Sequence, residues 1–167
     1  HYWRLDPCLW REILLHCKSL GFEIVCSYVP WSVHEIDRCQ FDFSGPKNLG
    51  HFIDLAAELD MKLLLRPGPH INAEITGFGF PKRILDDKEI KARGPLGNPA
   101  TMPAPPQGFH IPSYSSSKFF SELTVFFDAL APLFDRSCYP KGPVIGVQVD
   151  NENSHFFRTG PFDLDYH

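Results

Sequence analysis

The chain has 167 residues, 43% hydrophobic and 22% charged, with 16 Lys and Arg against 20 Asp and Glu for a net charge of −4. Weak acidity excludes the basic stripe of a nucleic-acid binder, and the apolar fraction excludes a disordered or fibrous chain. No apolar run approaches the roughly 20 residues of a membrane span, and no basic segment followed by an apolar one opens the chain. The first residue is His1 rather than Met, which leaves open a leader upstream.

Sixteen Pro and fifteen Phe point to long ordered loops over an aromatic-lined interior, the composition of a loop-built site. The five cysteines (Cys8, Cys17, Cys26, Cys39 and Cys138) are odd in number and lie mostly in apolar helix or strand patterns. They suggest neither a disulfide framework nor a CxxC metal site, and buried thiols are expected. No internal repeat or low-complexity segment is visible.

Asp6 before Pro7 reads as an N-cap with Pro at the first helical position, and Leu9, Trp10, Ile13, Leu14, Cys17 and Leu20 then recur at helical spacing until Gly21. The run from Glu23 to Val29 is apolar and β-branched and stops at Pro30, as a buried strand does. A turn-rich stretch through Phe41–Pro46 leads to a second amphipathic helix capped by Asn48, with Leu49, Phe52, Ile53, Ala56 and Leu59 on one side. Lys62–Arg66, stopped by Pro67-Gly68-Pro69, predicts a second strand.

Residues 70–113 read differently. A short helix opened by Pro81 runs toward Arg93, and a proline-rich insertion over about 94–113 is far longer than an ordinary connection. A third helix carries Phe119, Phe120, Leu123, Phe126, Phe127, Leu130, Leu133 and Phe134, bent or ended near Pro132. Val144–Val149 is a third strand, and the remainder to His167 is polar and aromatic without periodicity.

This alternation predicts an α/β protein with parallel strands, whose carboxyl ends share one face. An eight-unit barrel takes about 250 residues, or roughly 31 per unit. The chain therefore reads as a partial TIM (β/α)8 barrel of roughly four units, with a first strand at or before His1. Residues 1–167 form a single incomplete domain, the front half of such a barrel.

Sites in these folds form beyond the carboxyl ends of the strands. The three ends read Ser27–Glu35, Arg66–Glu74 and Gln148–Asn153, and each delivers a carboxylate. Aromatic faces suit the C–H side of a sugar ring, and carboxylates and amides suit its hydroxyls. Glycosidic cleavage needs one carboxyl group to protonate the leaving oxygen and a second to attack or to activate water.

With these residues in hand, the chain resembles family 35 of the glycoside hydrolases, the β-galactosidase-like members of the retaining (β/α)8 glycosidases. The likeness is carried in order by His1-Tyr-Trp-Arg4, Leu9-Trp-Arg11, Tyr28-Val-Pro-Trp31 with His34-Glu35, Phe41-Asp-Phe-Ser-Gly45, Leu65-Arg-Pro-Gly-Pro69 with Ala73-Glu74, and Gly142-Pro-Val-Ile145 leading to Gln148-Val149 and Asn151-Glu152. Each motif is weak alone, and together in register they are specific. The resemblance implies hydrolysis of terminal β-D-galactosides with retention. It makes Glu152 the general acid/base and Asn151 a hydrogen-bond partner of the sugar 2-hydroxyl. It puts Tyr28 and Glu74 on the galactose hydroxyls, Ala73 on the same ring through its backbone, and Asn72 beside them. Glu152 must be protonated to donate, and Asp150 nearby is a contributor to raising its pKa.

The family's nucleophile is a second Glu at the end of a seventh strand, for which this chain has no counterpart, so the segment alone is expected to be inactive. Many members carry Cys at the position of Asn72, Trp at Ile75, Glu at Asp150 and Tyr at Asn153, which leaves other β-linked sugars, such as a glucosaminide, open. A non-catalytic sugar-binding fragment is the alternative from a different class. Its exposed strand edges favour self-pairing.

Plainer readings stand beside these. Asn151-Glu152 also reads as a strand exit and helix cap, Glu74 as a loop-ordering acceptor, and His34 and Glu35 as scaffold with His34 satisfied by a backbone group. Tyr28 faces the site or the core according to strand register. Trp31 stacks on a sugar or plugs the barrel mouth, and Arg66 pairs with one of the carboxylates and orients it. His34, Glu35, His70, Glu74 and Asp150 gather on one face but lack an HxH or HExxH spacing, so no metal is expected and no cofactor is implied. Composition and motifs leave compartment and oligomeric state open.

Overall fold

Asp6 caps the first helix as its sequence predicts. In the computed structural model, which describes residues 1–104 and 107–152, its carboxylate accepts from the Cys8 N–H at 3.0 Å and opens α1 (Pro7–Ser19). Gly21, with φ of +87°, takes the left-handed turn beyond the helix that a Cβ would resist. The next elements are β1 (Ile24–Tyr28), a single-turn α2 (Trp31–His34), and a small hairpin of β2 (Glu35–Asp37) with β3 (Gln40–Phe41). Asn48 accepts from the His51 N–H at 2.9 Å to start α3 (Leu49–Glu58), and β4 (Lys62–Gly68) follows. After the short α4 (Lys82–Asp86) come β5 (Thr101–Ala104) and β6 (Gln107–His110), then α5 (Ser117–Ser137) and β7 (Val144–Val149).

The sheet that matters has the order β1-β4-β7, parallel throughout, so the α/β reading holds. Ile24 pairs with Lys62 and the ladder runs to Tyr28 against Arg66. Leu63 and Leu65 of β4 and Val144 of β7 are buried in one core with Trp10 and Leu14 of α1, Phe52, Ile53 and Ala56 of α3, and Phe119, Phe126 and Leu130 of α5. Helical and strand periodicities meet there, and burial of this apolar area is what holds the layers together. Along β7 the alternation continues outward, leaving Ile145, Val147 and Val149 exposed.

Several sequence expectations need correction. Pro67 does not stop β4, because the register between β4 and β7 shifts between Leu65 and Gly68 and the missing N–H falls where no ladder bond is required. The helix after Pro81 ends at Asp86 instead of running toward Arg93. Asp87 is extended and its carboxylate accepts from the Glu89 N–H at 2.9 Å, a local turn that competes with helix. The insertion over 94–113, expected as a long ordered loop, carries strands of its own. It folds back as the β5–β6 hairpin, with isolated bridges from Lys91 to Pro112 and from Arg93 to Pro99. Pro132 neither ends nor interrupts α5. It lies on an exposed turn, where water can take the Asp128 carbonyl that loses its helical donor.

The expected buried thiols are also not found. Cys8, Cys26 and Cys39 are exposed and Cys17 and Cys138 half-buried. Apolar periodicity places a residue on a face, and in β1 the Cys26 face is the open one. Pro105, Pro106, Asn153 and the segment 154–167 lie outside the described residues.

Candidate active site

Parallel pairing of Tyr28 with Arg66 puts the two side chains next to each other at the carboxyl ends of β1 and β4, and the guanidinium lies 4.1 Å from the phenol ring centroid. From there Arg66 donates through one terminal nitrogen to the side-chain oxygen of Asn151 at the end of β7, and Tyr28 donates its hydroxyl to the same oxygen at 3.4 Å. Tyr28 is buried, so the register resolves it toward this cluster and its small core of Ile71 and Ala73. Arg66 was expected to pair with a carboxylate. It instead holds an amide and a ring, because the Tyr28–Arg66 register aims it across the sheet.

The turn out of β4 requires glycine. Gly68 has φ of +81°, and a Cβ there would come within 3.0 Å of the His70 backbone nitrogen. His70 is buried, donates its N–H to Asp150 Oδ1 at 3.0 Å, and donates Nδ1–H to the Asn151 carbonyl. Asp150 in turn donates its N–H to the Gly68 carbonyl at 2.8 Å and accepts the Asn151 N–H at 3.0 Å. Burial pushes the Asp150 carboxyl up from its usual range, against the hydrogen bonds it accepts. Its lone pairs brace the two strand ends, a bracing role that the sequence reading of Asp150 as a neighbour of Glu152 did not include.

Ala73 and Glu74, in the loop after β4, have φ of 45° and 49°, and Asp150 and Glu152 have 64° and 50°. Such left-handed backbone at non-glycine residues costs about 1–2 kcal/mol each and tends to gather where a site is built. The Ala73 carbonyl accepts from Arg4 at 2.5 Å, with Arg4 itself 5.7 Å from the Trp3 ring centroid, and His1 stacks on Trp3 at 4.8 Å and tilts against Tyr28 at 5.2 Å. Glu74 and Glu152 are exposed, and their charges reach Tyr28: burial raises its phenol first, with Glu152 and Glu74 adding to the rise and Arg66 opposing it. Asn72 is half-buried in the same loop, its carbonyl accepting from Ile75 at 3.2 Å.

Tyr28, Ala73, Glu74, Asn151 and Glu152 are thus brought together, with Asn72 at the margin. The N-terminal clamp of His1, Trp3 and Arg4 and the His70–Asp150 brace were missed as working parts. The sequence offered the clamp only as a motif and gave no spacing signal for the brace.

Glu35 and Trp31 belong elsewhere. Trp31 is fully buried and stacks on Phe126 at 5.5 Å with rings nearly parallel, so it is core and faces no ligand. Glu35 accepts a two-pronged pair from Arg83 at 2.9 and 2.6 Å and the Trp31 indole N–H at 3.2 Å. Arg83 also holds Glu122 at 2.6 Å, and Arg38 reaches the other oxygen of Glu122 at 2.6 Å. His34 accepts from the Tyr2 hydroxyl at 2.6 Å and donates to the Asp42 carbonyl at 2.9 Å, the backbone partner expected of it. A cleft of about 820 Å³ borders this network, lined by Glu35, Arg38, Phe80, Arg83, Phe109 and His110 and by none of Tyr28, Arg66, Glu74, Asn151 and Glu152. Among the described residues no group of three or more His, Cys, Asp or Glu is placed to hold a metal ion, and no helix is long and apolar enough to cross a membrane.

The model of the glycosyl hydrolases family 35 matches residues 1–97. Beta-galactosidase-1-like protein 3 of Homo sapiens is 35% identical over 157 residues, which cover 93% of this chain and 21% of that protein. Beta-galactosidase of Mus musculus is 34% identical over 167 residues, 99% of this chain and 22% of that one. Exo-beta-D-glucosaminidase of Thermococcus kodakarensis is 32% identical over 173 residues, 99% of this chain and 21% of its own length. The chain spans about a fifth of the length of these curated relatives.

Proposed function

We propose, from the premise that this chain belongs to glycosyl hydrolases family 35, that it supplies the acid/base half of a retaining glycosidase acting on terminal β-D-galactosides. The observation that carries the reading is the convergence of Tyr28, Ala73–Glu74 and Asn151–Glu152 at the carboxyl edge of β1, β4 and β7, on backbone held in a costly conformation. In this reading the sheet is part of a (β/α)8 barrel, and residues 1–167 are one incomplete domain.

Glu152 protonates the glycosidic oxygen as its bond to the anomeric carbon breaks. A second carboxylate, from chain outside these residues, attacks that carbon from the opposite side at a carboxyl separation of about 5–5.5 Å. Glu152 then takes a proton from the water whose oxygen releases the sugar. Asn151, Tyr28, Glu74, Asn72 and the Ala73 backbone hold the ring, and the segment alone does not turn over.

The test is Glu152→Gln in the full-length protein. Turnover of substrates with poor leaving groups should fall by about a thousandfold or more. Activated nitrophenyl galactosides should suffer less, and azide should restore rate with a β-galactosyl azide as product. Normal lactose hydrolysis by this variant would overturn the assignment.

A further inference from the structure

The peptide planes that carry the chain out of β7 are held one after another by different groups. Asp150 donates its N–H to the Gly68 carbonyl at 2.8 Å. The plane between Asp150 and Asn151 is held at both ends, its carbonyl accepting from Gln148 Nε2 at 3.1 Å and its N–H donating to Asp150 Oδ1 at 3.0 Å. The next plane joins Asn151 to Glu152, and its carbonyl accepts from His70 Nδ1. A carbonyl oxygen only accepts, so that ring nitrogen carries the proton. His70 is itself fixed. Its N–H donates to Asp150 Oδ1 at 3.0 Å, and its ring, 2% exposed, meets Phe78 edge-on at 5.0 Å and stacks on Phe80 at 6.2 Å.

A peptide unit is rigid, so turning the plane between Asn151 and Glu152 changes ψ of the first and φ of the second together. Glu152 has φ of 50°, a conformation disfavoured for a residue with a Cβ, and release of that plane lets it relax. Resting on the glycosidase reading above, we infer that His70 is a positioning residue: seated on Asp150, it holds the peptide between Asn151 and Glu152 and so fixes where the Glu152 carboxyl is presented. The side chain of Asn151 is held separately, by Arg66 and Tyr28. The effect of His70 therefore falls on Glu152 and spares the amide.

The experiment compares the full-length protein with His70→Phe, His70→Asn and His70→Gln. Phe keeps a flat ring against Phe78 and Phe80 without the donor, Asn puts an amide N–H close to the place of Nδ1, and Gln carries it one carbon further. In His70→Phe, kcat on lactose should fall by about tenfold to a hundredfold, the loss that a misplacement of about 1 Å brings. KM and calorimetric binding of galactose should change by less than about twofold. On a dinitrophenyl galactoside, whose leaving group needs no proton, kcat/KM should fall far less. His70→Asn should exceed His70→Gln on lactose by about fivefold, the worth of one hydrogen bond. A loss shared equally by both substrates overturns the inference, as does Asn no better than Gln. Crystal structures of the same full-length variants read the placement without turnover. In His70→Phe the peptide turns and Glu152 leaves the left-handed region, and an unmoved peptide overturns the inference. Absence of turnover in the unaltered protein would overturn the hydrolase reading, while a turned peptide in His70→Phe would leave the placement of Glu152 by His70 standing.

Discussion

Glu35 and Glu152 both follow strands of the same parallel sheet, and on sequence alone they look alike, each a carboxylate beyond a strand end with aromatic or amide neighbours. Their surroundings differ in kind. Glu35 has 4% of its side chain exposed, and both its oxygens are occupied by Arg83 and Trp31. Glu152 is exposed and sits on left-handed backbone beside Asn151. A carboxylate whose lone pairs are filled and buried has its energy invested in the fold, whereas the proposed function gives the exposed one on left-handed backbone a part in chemistry. Under the proposed function the Glu35–Arg83–Glu122–Arg38 network and the strand-end cluster have opposite tasks.

The contrast is broken most forcefully at Arg83. Arg83→Met leaves Glu35, 4% exposed, without its cation and Glu122, 7% exposed, with only the exposed Arg38. Stability of the full-length protein should fall by about 3–5 kcal/mol, read as a shift of the urea midpoint at constant slope. Adding Glu35→Gln and Glu122→Gln should recover much of it by removing the uncompensated charge. A loss below about 1 kcal/mol would mean that the network does not brace the fold, and the distinction between the two regions would go with it.

A smaller effect separates the regions by pH. His34, fully buried between Tyr2, Phe43 and the Asp42 carbonyl, is held neutral by its burial, which lowers its pKa from 6.5 to about 4. The folded state therefore binds the proton more weakly than the unfolded one. The stability this group confers is complete above pH 6.5 and is lost as pH falls toward 4, by about 3 kcal/mol at most. Denaturant titrations across that window should show the slope, and His34→Gln should flatten it. A slope of opposite sign would mean that His34 is charged in the folded protein.

What was legible in the sequence follows from which physical signals are local. Asp6, Asn48 and the 144–149 run announced their elements because capping and β-branched alternation act within a few residues. The end of the short α4 and the β5–β6 hairpin were missed because side-chain turns at Asp87 and strand pairing across the insertion are decided by partners, not by periodicity. The same division runs through the site. Glu152, Asn151, Tyr28 and Glu74 could be named from motifs. That Arg66 holds Asn151 depends on the pairing of Tyr28 with Arg66, and that Trp31 is core depends on Phe126 from a helix about 95 residues on.

The finest test of the comparison uses backbone strain alone. Asp60 and Glu74 are both exposed non-glycine residues with φ near +50°, Asp60 just past the end of α3 and Glu74 in the strand-end cluster. Glycine relieves the left-handed cost at either position, offset in part by the freer unfolded chain, so each substitution should stabilise the full-length protein by about 0.5–1 kcal/mol. The weak exposed pair between Asp60 and Lys62 changes that little. Asp60→Gly should leave turnover unchanged, since nothing in the cluster touches it, while Glu74→Gly should gain stability and lose turnover together, the signature of strain held in place for a site. Equal activity in the two variants would move Glu74 to the side of Glu35, a carboxylate that serves the fold, and would leave Glu152 and Asn151 as the working end of the sheet.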